Sequence, residues 1–231
     1  MKKYKHVFFD LDHTLWDFET NAAETLNEIY SRFNLFEKRV PSSESFIRMY
    51  KSINERMWDD YEKRKISKEY LRTKRFYKTL LTFNVDDSAL AEKIGIFYVQ
   101  DCPKKKNLFP GAIEMLTYLQ PKYQLHIITN GFEEVQKIKI KTSGIGKFFN
   151  KIVISEIAGS NKPEKKIFNY ALKSSGALRS ESLMIGDNLG TDIIGAKNSG
   201  IDQCFFNPEK KNHLAEVTYE ISSLLELKRI L

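Results

Sequence analysis

Residues 5–15 read KHVFFDLDHTL, a short apolar run that stops at a pair of aspartates. The run lacks strict polar alternation, so residues 5–9 are predicted to form a β-strand buried on both faces, as in a parallel sheet. Four similar runs follow at 125–129, 151–155, 182–186 and 202–206. Helical patterns separate them, which predicts an α/β fold with a Rossmann-like parallel sheet covered by helices on both faces.

The first two predicted strands lie about 120 residues apart, far more than an ordinary crossover connection needs. The gap is rich in apolar residues at helical spacing, for example Ala23, Leu26 and Ile29 on one face. We therefore predict a core domain of residues 1–16 and 103–231. Residues 17–102 are predicted to form an inserted four-helix-bundle cap.

The chain has 231 residues with 37 Lys and Arg against 30 Asp and Glu, a formal charge of +7. Such a charge by itself suggests a nucleic-acid partner. The predicted cap is balanced, however, so the excess lies in the core, where runs such as Lys137, Lys139 and Lys141 are interpreted as solvated helix faces. These runs lack interleaved aromatic residues, which disfavours a nucleic-acid groove. We expect at most a weak attraction of small anions.

The two cysteines, Cys102 and Cys204, share no metal-binding motif, and isolated thiols are typical of a reducing compartment. The early apolar run of residues 7–9 is too short for a signal peptide, and no stretch approaches the length of a membrane helix. The sequence therefore predicts a cytoplasmic protein without a membrane partner.

Polar residues follow the predicted strands at the rim where open α/β sheets bind ligands. They are Asp10 and Asp12, Thr129 to Gly131, Lys162, and Asp187 with Asp192. Each taken alone has an ordinary explanation, such as turn chemistry for Thr129 to Gly131 or a helix cap for Asp187. Together, and in this order, they predict a site. Because several carboxylates on one rim repel each other, the site is expected to hold a cation.

The oxygen-rich set favours Mg²⁺, a hard ion that prefers oxygen ligands. Asp10 and Asp187 are predicted to supply carboxylates, and Asp12 its main-chain carbonyl. Asp10 is then the candidate nucleophile that attacks phosphorus to form an aspartyl phosphate, and Asp12 the acid and base that exchanges protons with the leaving oxygen and with water.

The remaining rim residues suit the oxygens of a phosphate group. The Thr129 hydroxyl, the Lys162 ammonium and the backbone around Asn130 and Gly131 are predicted to bind them. Asp192 is predicted to fix Lys162 or a metal-bound water from a second layer.

Four motifs resemble those of the haloacid dehalogenase superfamily of hydrolases: FFDLDHTL (8–15), IITNG (127–131), NKP (161–163) and IGDNLGTD (185–192). The resemblance covers the whole predicted core and implies the sheet order 3-2-1-4-5 and a helical cap after the first motif. It also implies Asp10 as nucleophile, Asp12 as acid and base, and a Mg²⁺ site at Asp10, Asp12 and Asp187. It further implies phosphate contacts from Thr129 and Lys162.

Within the superfamily, the dehalogenase members lack an acid at the position of Asp12, so its presence favours phosphoryl chemistry. His13 departs from the commonest pattern, which has glycine there. The stretches 10–19 and 129–132 resemble pyrimidine 5′-nucleotidases that clear noncanonical nucleotides. Trp16, Asp17 and Phe18, at the predicted hinge, are candidates for contact with a base or sugar.

The resulting expectation is a Mg²⁺-dependent phosphomonoester hydrolase whose partner is a small phosphorylated metabolite, first of all a nucleoside 5′-monophosphate. Phosphoglycolate or a sugar phosphate is the alternative substrate. A non-enzymatic binding protein on the same scaffold is the third reading, because a fold alone does not determine function.

Overall fold

The computed structural model of the chain describes residues 4–231. Over that range, six strands form one parallel sheet in the order β3-β2-β1-β4-β5-β6. The strands are β1 (His6–Phe9), β2 (Gln124–Thr129), β3 (Lys151–Ile154), β4 (Ser182–Gly186), β5 (Asp202–Phe206) and β6 (Tyr219–Ile221). The predicted α/β class and the order of the first five strands are confirmed.

Strand β1 occupies the middle of the sheet, where Phe9 pairs with Ile127 of β2 and with Ile185 of β4. All four residues of β1 are buried, which explains why its sequence shows no polar alternation. The carboxyl ends of β1, β2 and β4 are consequently neighbours, and the residues that follow them meet at one rim.

Helices cover this sheet, and others form the segment between β1 and β2. They are α1 (Phe18–Arg32), α2 (Ser43–Glu62), α3 (Lys68–Leu81), α4 (Ser88–Asp101), α5 (Ala112–Leu119), α6 (Glu133–Thr142), α7 (Ser155–Ala158), α8 (Lys165–Ser175) and α9 (Ile194–Asn198). Helix α8 begins at Lys165 because residues 161–164 form a turn closed by a Glu164 N–H to Asn161 carbonyl bond of 2.9 Å.

One strand was not expected from the sequence. Strand β6 lies parallel to β5 at the edge of the sheet, with Phe206 paired to Ile221. It has three residues, and only Ile221 is buried. The sequence of so short and polar a segment does not distinguish a strand from a loop.

The described chain divides into two compact units. One consists of residues 4–18 with Lys106–Leu231 and contains the sheet; the other is Glu19–Lys105. In the second unit the ring of Tyr50 stacks on Phe76 at 4.9 Å between centroids, and Tyr98 lies within 5.4 Å of both. These rings join α2, α3 and α4 through one aromatic core.

In the sheet unit, Phe8, Ile128 and Met184 lie in one buried apolar cluster with Ile167 and Phe168 of α8. Burying side chains of this size is the main stabilising contribution to such a layered unit. None of the helices formed by residues 4–231 is long and apolar enough to cross a membrane.

Candidate active site

The rim at the carboxyl ends of β1 and β4 holds a compact group of acids. Asp10, Asp187 and Asp192 each place a carboxylate oxygen within 4.8 Å of the other two. Asp10 follows β1 directly, and its N–H donates to the Ile185 carbonyl of β4 at 2.9 Å. The pairing of β1 with β4 therefore sets the position of this carboxylate.

Lys162 supplies the positive charge of this group. Its ammonium donates to Asp10, to Asp192 Oδ1 at 2.5 Å and to the Ile128 carbonyl at 3.0 Å. The side chain is buried, and Asn130 fixes its backbone through bonds of 2.8 Å to the Lys162 N–H and 3.1 Å to the Lys162 carbonyl. Asn130 therefore contacts the backbone of the site lysine.

The charges at this rim shift several pKa values. Burial raises the pKa of Asp10 well above its usual range, the Asp192 and Asp187 charges raise it further, and the Lys162 ammonium opposes the rise. Burial and Asp192 likewise raise the pKa of Asp187 to about 6. Burial acts to lower the pKa of Lys162, but the Asp10 and Asp192 carboxylates outweigh it, and the pKa of Lys162 is raised.

This group suits a hard divalent cation. Three ionised carboxylates against one ammonium leave two negative charges in excess, which raises the cost of ionising each acid. The donor atoms are oxygens, as Mg²⁺ prefers, and no cysteine or histidine belongs to the described cluster. Asp10 and Asp187 are its more accessible acids; Asp192 is buried and bonded to Lys162.

Local structure explains the position of Asp192. It lies in a π-helical turn, Leu189–Ile193, whose first residues are capped by Asn188 through bonds to the N–H groups of Gly190 and Thr191. Asp192 Oδ2 accepts from the Asn188 N–H at 3.1 Å. A Cβ atom on Gly186 would overlap the Asp192 carboxylate, so the glycine that ends β4 leaves space for this acid.

Asp12 has a separate environment. Its Oδ1 accepts from Lys139 at 2.6 Å and its Oδ2 from Gln136 at 2.7 Å. Burial acts to raise the pKa of Asp12, but the Lys139 charge and these two bonds outweigh it, and its pKa is lowered. Its carboxylate is thus paired with helix α6 rather than with the acid group around Asp10.

Lys139 was interpreted from the sequence as part of a solvated face, and for this residue that interpretation is wrong. It is 5% exposed because its ammonium pairs with Asp12 and lies 4.3 Å from the centroid of the Trp16 ring. Gln136 is also fully buried. Neither residue was expected at the site. The clue in the sequence was that the two polar residues lie about one helical turn apart on the helix that follows the Thr129 motif.

Thr129 ends β2 and is buried. Its Oγ1 accepts from Gln136 Nε2 at 2.7 Å and from the Gly131 N–H at 3.2 Å. A Cβ atom on Gly131 would overlap the Gln136 side chain, so glycine is needed at this close approach. The structure thus brings the TNG motif against α6.

The backbone after Asp12 explains why glycine is the commonest residue at position 13 in the superfamily. His13 has φ of 61°, a left-handed conformation that glycine adopts at least cost. Its ring packs 4.8 Å from that of Phe18.

Trp16 was a candidate for substrate contact, but it is completely buried beneath Lys139, so that expectation is wrong for Trp16.

The sequence as a whole is similar to known hydrolases. A sequence model described as haloacid dehalogenase-like hydrolase matches residues 7–206. Pyrimidine 5′-nucleotidase YjjG of Escherichia coli is 32% identical over 99% of this chain and 98% of its own. Pyrimidine 5′-nucleotidase PynA of Streptococcus pneumoniae is 33% identical over 97% and 93%.

The fold is also found in a solved structure. The crystal structure of the HAD-hydrolase YfnB from Bacillus subtilis, bound to magnesium, superposes with a TM-score of 0.87, covers 99% of each chain and is 30% identical. The predicted resemblance to this superfamily, on its pyrimidine 5′-nucleotidase side, is confirmed.

Proposed function

The chain belongs to the haloacid dehalogenase-like hydrolases, and within that family we propose that it is a Mg²⁺-dependent nucleoside 5′-monophosphatase. The observation that carries this proposal is the acid group of Asp10, Asp187 and Asp192 around Lys162, with Asp12 two residues beyond Asp10. The full-length similarity to two pyrimidine 5′-nucleotidases supports the nucleotide as substrate.

Asp10 and Asp187, with the main-chain carbonyl of Asp12, are the groups that would hold Mg²⁺. When bound, the ion neutralises the acids and the phosphate, so that one anion can approach another. Lys162 and Thr129 suit the equatorial phosphate oxygens, because an ammonium and a hydroxyl donate to developing negative charge.

The proposed reaction has two steps. The negative phosphate opposes the Lys139 charge that lowers the pKa of Asp12, so Asp12 is protonated in the substrate complex. An Asp10 carboxylate oxygen attacks phosphorus, the bond to the leaving oxygen breaks, and Asp12 gives its proton to that oxygen, so that a nucleoside alcohol leaves. Water then attacks the phosphorus of the aspartyl phosphate and passes a proton to Asp12. The bond to Asp10 breaks, and inorganic phosphate and the Asp10 carboxylate are regenerated.

The test is a phosphate-release screen of the purified protein with Mg²⁺ over nucleoside 5′-monophosphates, sugar phosphates and phosphoglycolate. We expect the highest kcat/KM for a pyrimidine nucleoside 5′-monophosphate and no turnover when EDTA removes the ion. A higher kcat/KM for a sugar phosphate or phosphoglycolate would reassign the substrate. No phosphate release from any compound would refute the phosphatase assignment.

A further inference from the structure

Helix α6 directs two polar side chains into the interior of the sheet unit. Gln136 is completely buried and Lys139 is 5% exposed. They are three residues apart and so lie on the same helix face. By contrast Lys137, between them in sequence, is 63% exposed and pairs with Glu133. Burying an amide and an ammonium is costly, so their partners show what the two residues do.

Their common partner is Asp12. Lys139 donates to one carboxylate oxygen at 2.6 Å, and Gln136 donates to the other at 2.7 Å. A carboxylate with a separate donor on each oxygen cannot rotate without breaking a charge-assisted bond. The Lys139 ammonium is held in turn by the Trp16 ring, 4.3 Å from its centroid.

Gln136 also sets the hydrogen-bond role of Thr129. One Nε2 hydrogen serves Asp12 and the other serves Thr129 Oγ1, at 2.7 Å, which also accepts from the Gly131 N–H. A hydroxyl has two acceptor positions and one proton. With both acceptor positions filled, Thr129 is left as a donor, which is the role a phosphate oxygen requires.

We propose that Gln136 and Lys139 are positioning residues for phosphoryl transfer, a proposal that rests on the function proposed above. They orient the Asp12 carboxyl group for proton transfer to the leaving oxygen and keep the Thr129 hydroxyl as a donor to phosphate. When Asp12 gives up its proton, the carboxylate that remains is already bonded at both oxygens, so the two donors stabilise the charge as it forms.

The experiment compares Lys139→Met and Gln136→Leu with wild type and with Lys137→Met, the exposed neighbour on α6. The Mg²⁺-loaded proteins are assayed on two substrates. The first is uridine 5′-monophosphate, whose 5′-alkoxide is a poor leaving group and needs a proton. The second is p-nitrophenyl phosphate, whose phenolate leaves without an acid. General-acid catalysis contributes about 10²-fold or more. For Lys139→Met we expect kcat/KM for the nucleotide to fall about 10²-fold and that for the aryl ester by less than about threefold. Gln136→Leu also loses the contact with Thr129, so kcat/KM should fall for both esters, and more for the nucleotide.

The aryl ester also gives a second readout. Its kcat depends on the later attack by water, for which Asp12 must act as base, whereas kcat/KM reports the first chemical step. In Lys139→Met, kcat and KM for p-nitrophenyl phosphate are therefore expected to fall together. Lys139→Arg, which keeps a cationic donor, should recover part of the nucleotide activity. A purely structural role of Lys139 would give none of this pattern.

Equal losses of kcat/KM on both substrates, or values matching Lys137→Met, would overturn the positioning role while leaving the phosphatase assignment in place. Inactivity of the wild type on both esters would instead overturn the proposed function. If Lys139→Met does not fold, as judged by circular dichroism, Gln136→Leu keeps the ion pair with Asp12 and carries the same comparison.

Discussion

The two ends of the central strands bury polar groups in opposite ways. At the carboxyl end, the ionisable side chains of Asp10 and Lys162 are buried beside further acids. Toward the amino end, His6 and His126 stack at 5.4 Å between ring centroids, with His6 Nδ1 and His126 Nε2 3.1 Å apart. Burial lowers the pKa of both imidazoles, that of His126 to about 4, so this pair is neutral at pH 7.

The difference separates function from stability within a single sheet. Like charges that are crowded at the carboxyl end cost free energy, and a fold keeps such a group where chemistry requires it. A neutral, hydrogen-bonded and stacked pair costs little and contributes to packing. Changes at the carboxyl end should therefore affect turnover, and changes at the amino end should affect the free energy of unfolding.

The largest expected effect is that of Asp10→Asn, which removes the nucleophile. We expect kcat to fall by roughly four orders of magnitude or more, with the melting temperature unchanged or raised because one of the crowded charges is gone. Phosphate release and thermal unfolding measure the two effects. The matched control is Asp202→Asn at the start of β5, which should leave kcat unchanged. Substantial turnover by Asp10→Asn would contradict the assignment of the nucleophile.

Lys162→Met tests the charge balance of the carboxyl end. Loss of a single electrostatic donor typically lowers kcat by about 10²–10³-fold. Without the ammonium, the acids repel each other more, so the melting temperature measured in EDTA should fall and Mg²⁺ should restore it by more than in wild type. An equal Mg²⁺ effect in both proteins would show that the lysine does not offset the carboxylates.

How far the sequence predicts this site depends on the kind of signal each residue carries. Asp10 and Asp187 follow buried apolar strands and Thr129 ends one, and the parallel topology brings such positions to one rim. Lys139 gave no comparable signal, because alternating lysines on a helix usually face solvent. Its burial depends on the Trp16 ring and the Asp12 carboxylate, contacts between parts of the chain more than 120 residues apart.

At the amino end, His126 should make stability depend on pH. Its pKa is about 4 in the folded protein and near 6.5 when unfolded, because burial and the neighbouring His6 and Lys151 charges disfavour its protonation. The unfolded chain therefore binds more protons between these values, and stability falls as pH drops through that window. Comparing urea unfolding of wild type and His126→Leu at pH 7 and pH 5 isolates the imidazole, since the carboxylates are common to both.

We expect wild type to lose about 2 kcal/mol more than His126→Leu over this interval, with both proteins equally active at pH 7. An identical loss in the two proteins would mean that another group causes the pH dependence. A lower activity of His126→Leu at pH 7 would mean that the two ends of the sheet are coupled.

The smallest effect is expected for the Tyr4 hydroxyl, which donates to Asp202 Oδ2 at 2.5 Å and connects the start of β1 with β5. Tyr4→Phe should lower the free energy of unfolding by about 1 kcal/mol, the usual net value of one hydrogen bond, with kcat unchanged. Combining it with Asp202→Asn gives a double-mutant cycle. If this bond is the main interaction of the pair, the two losses will not add, whereas full additivity would show that the Tyr4 hydroxyl stabilises the sheet through its contact with the Tyr219 hydroxyl at 3.3 Å instead.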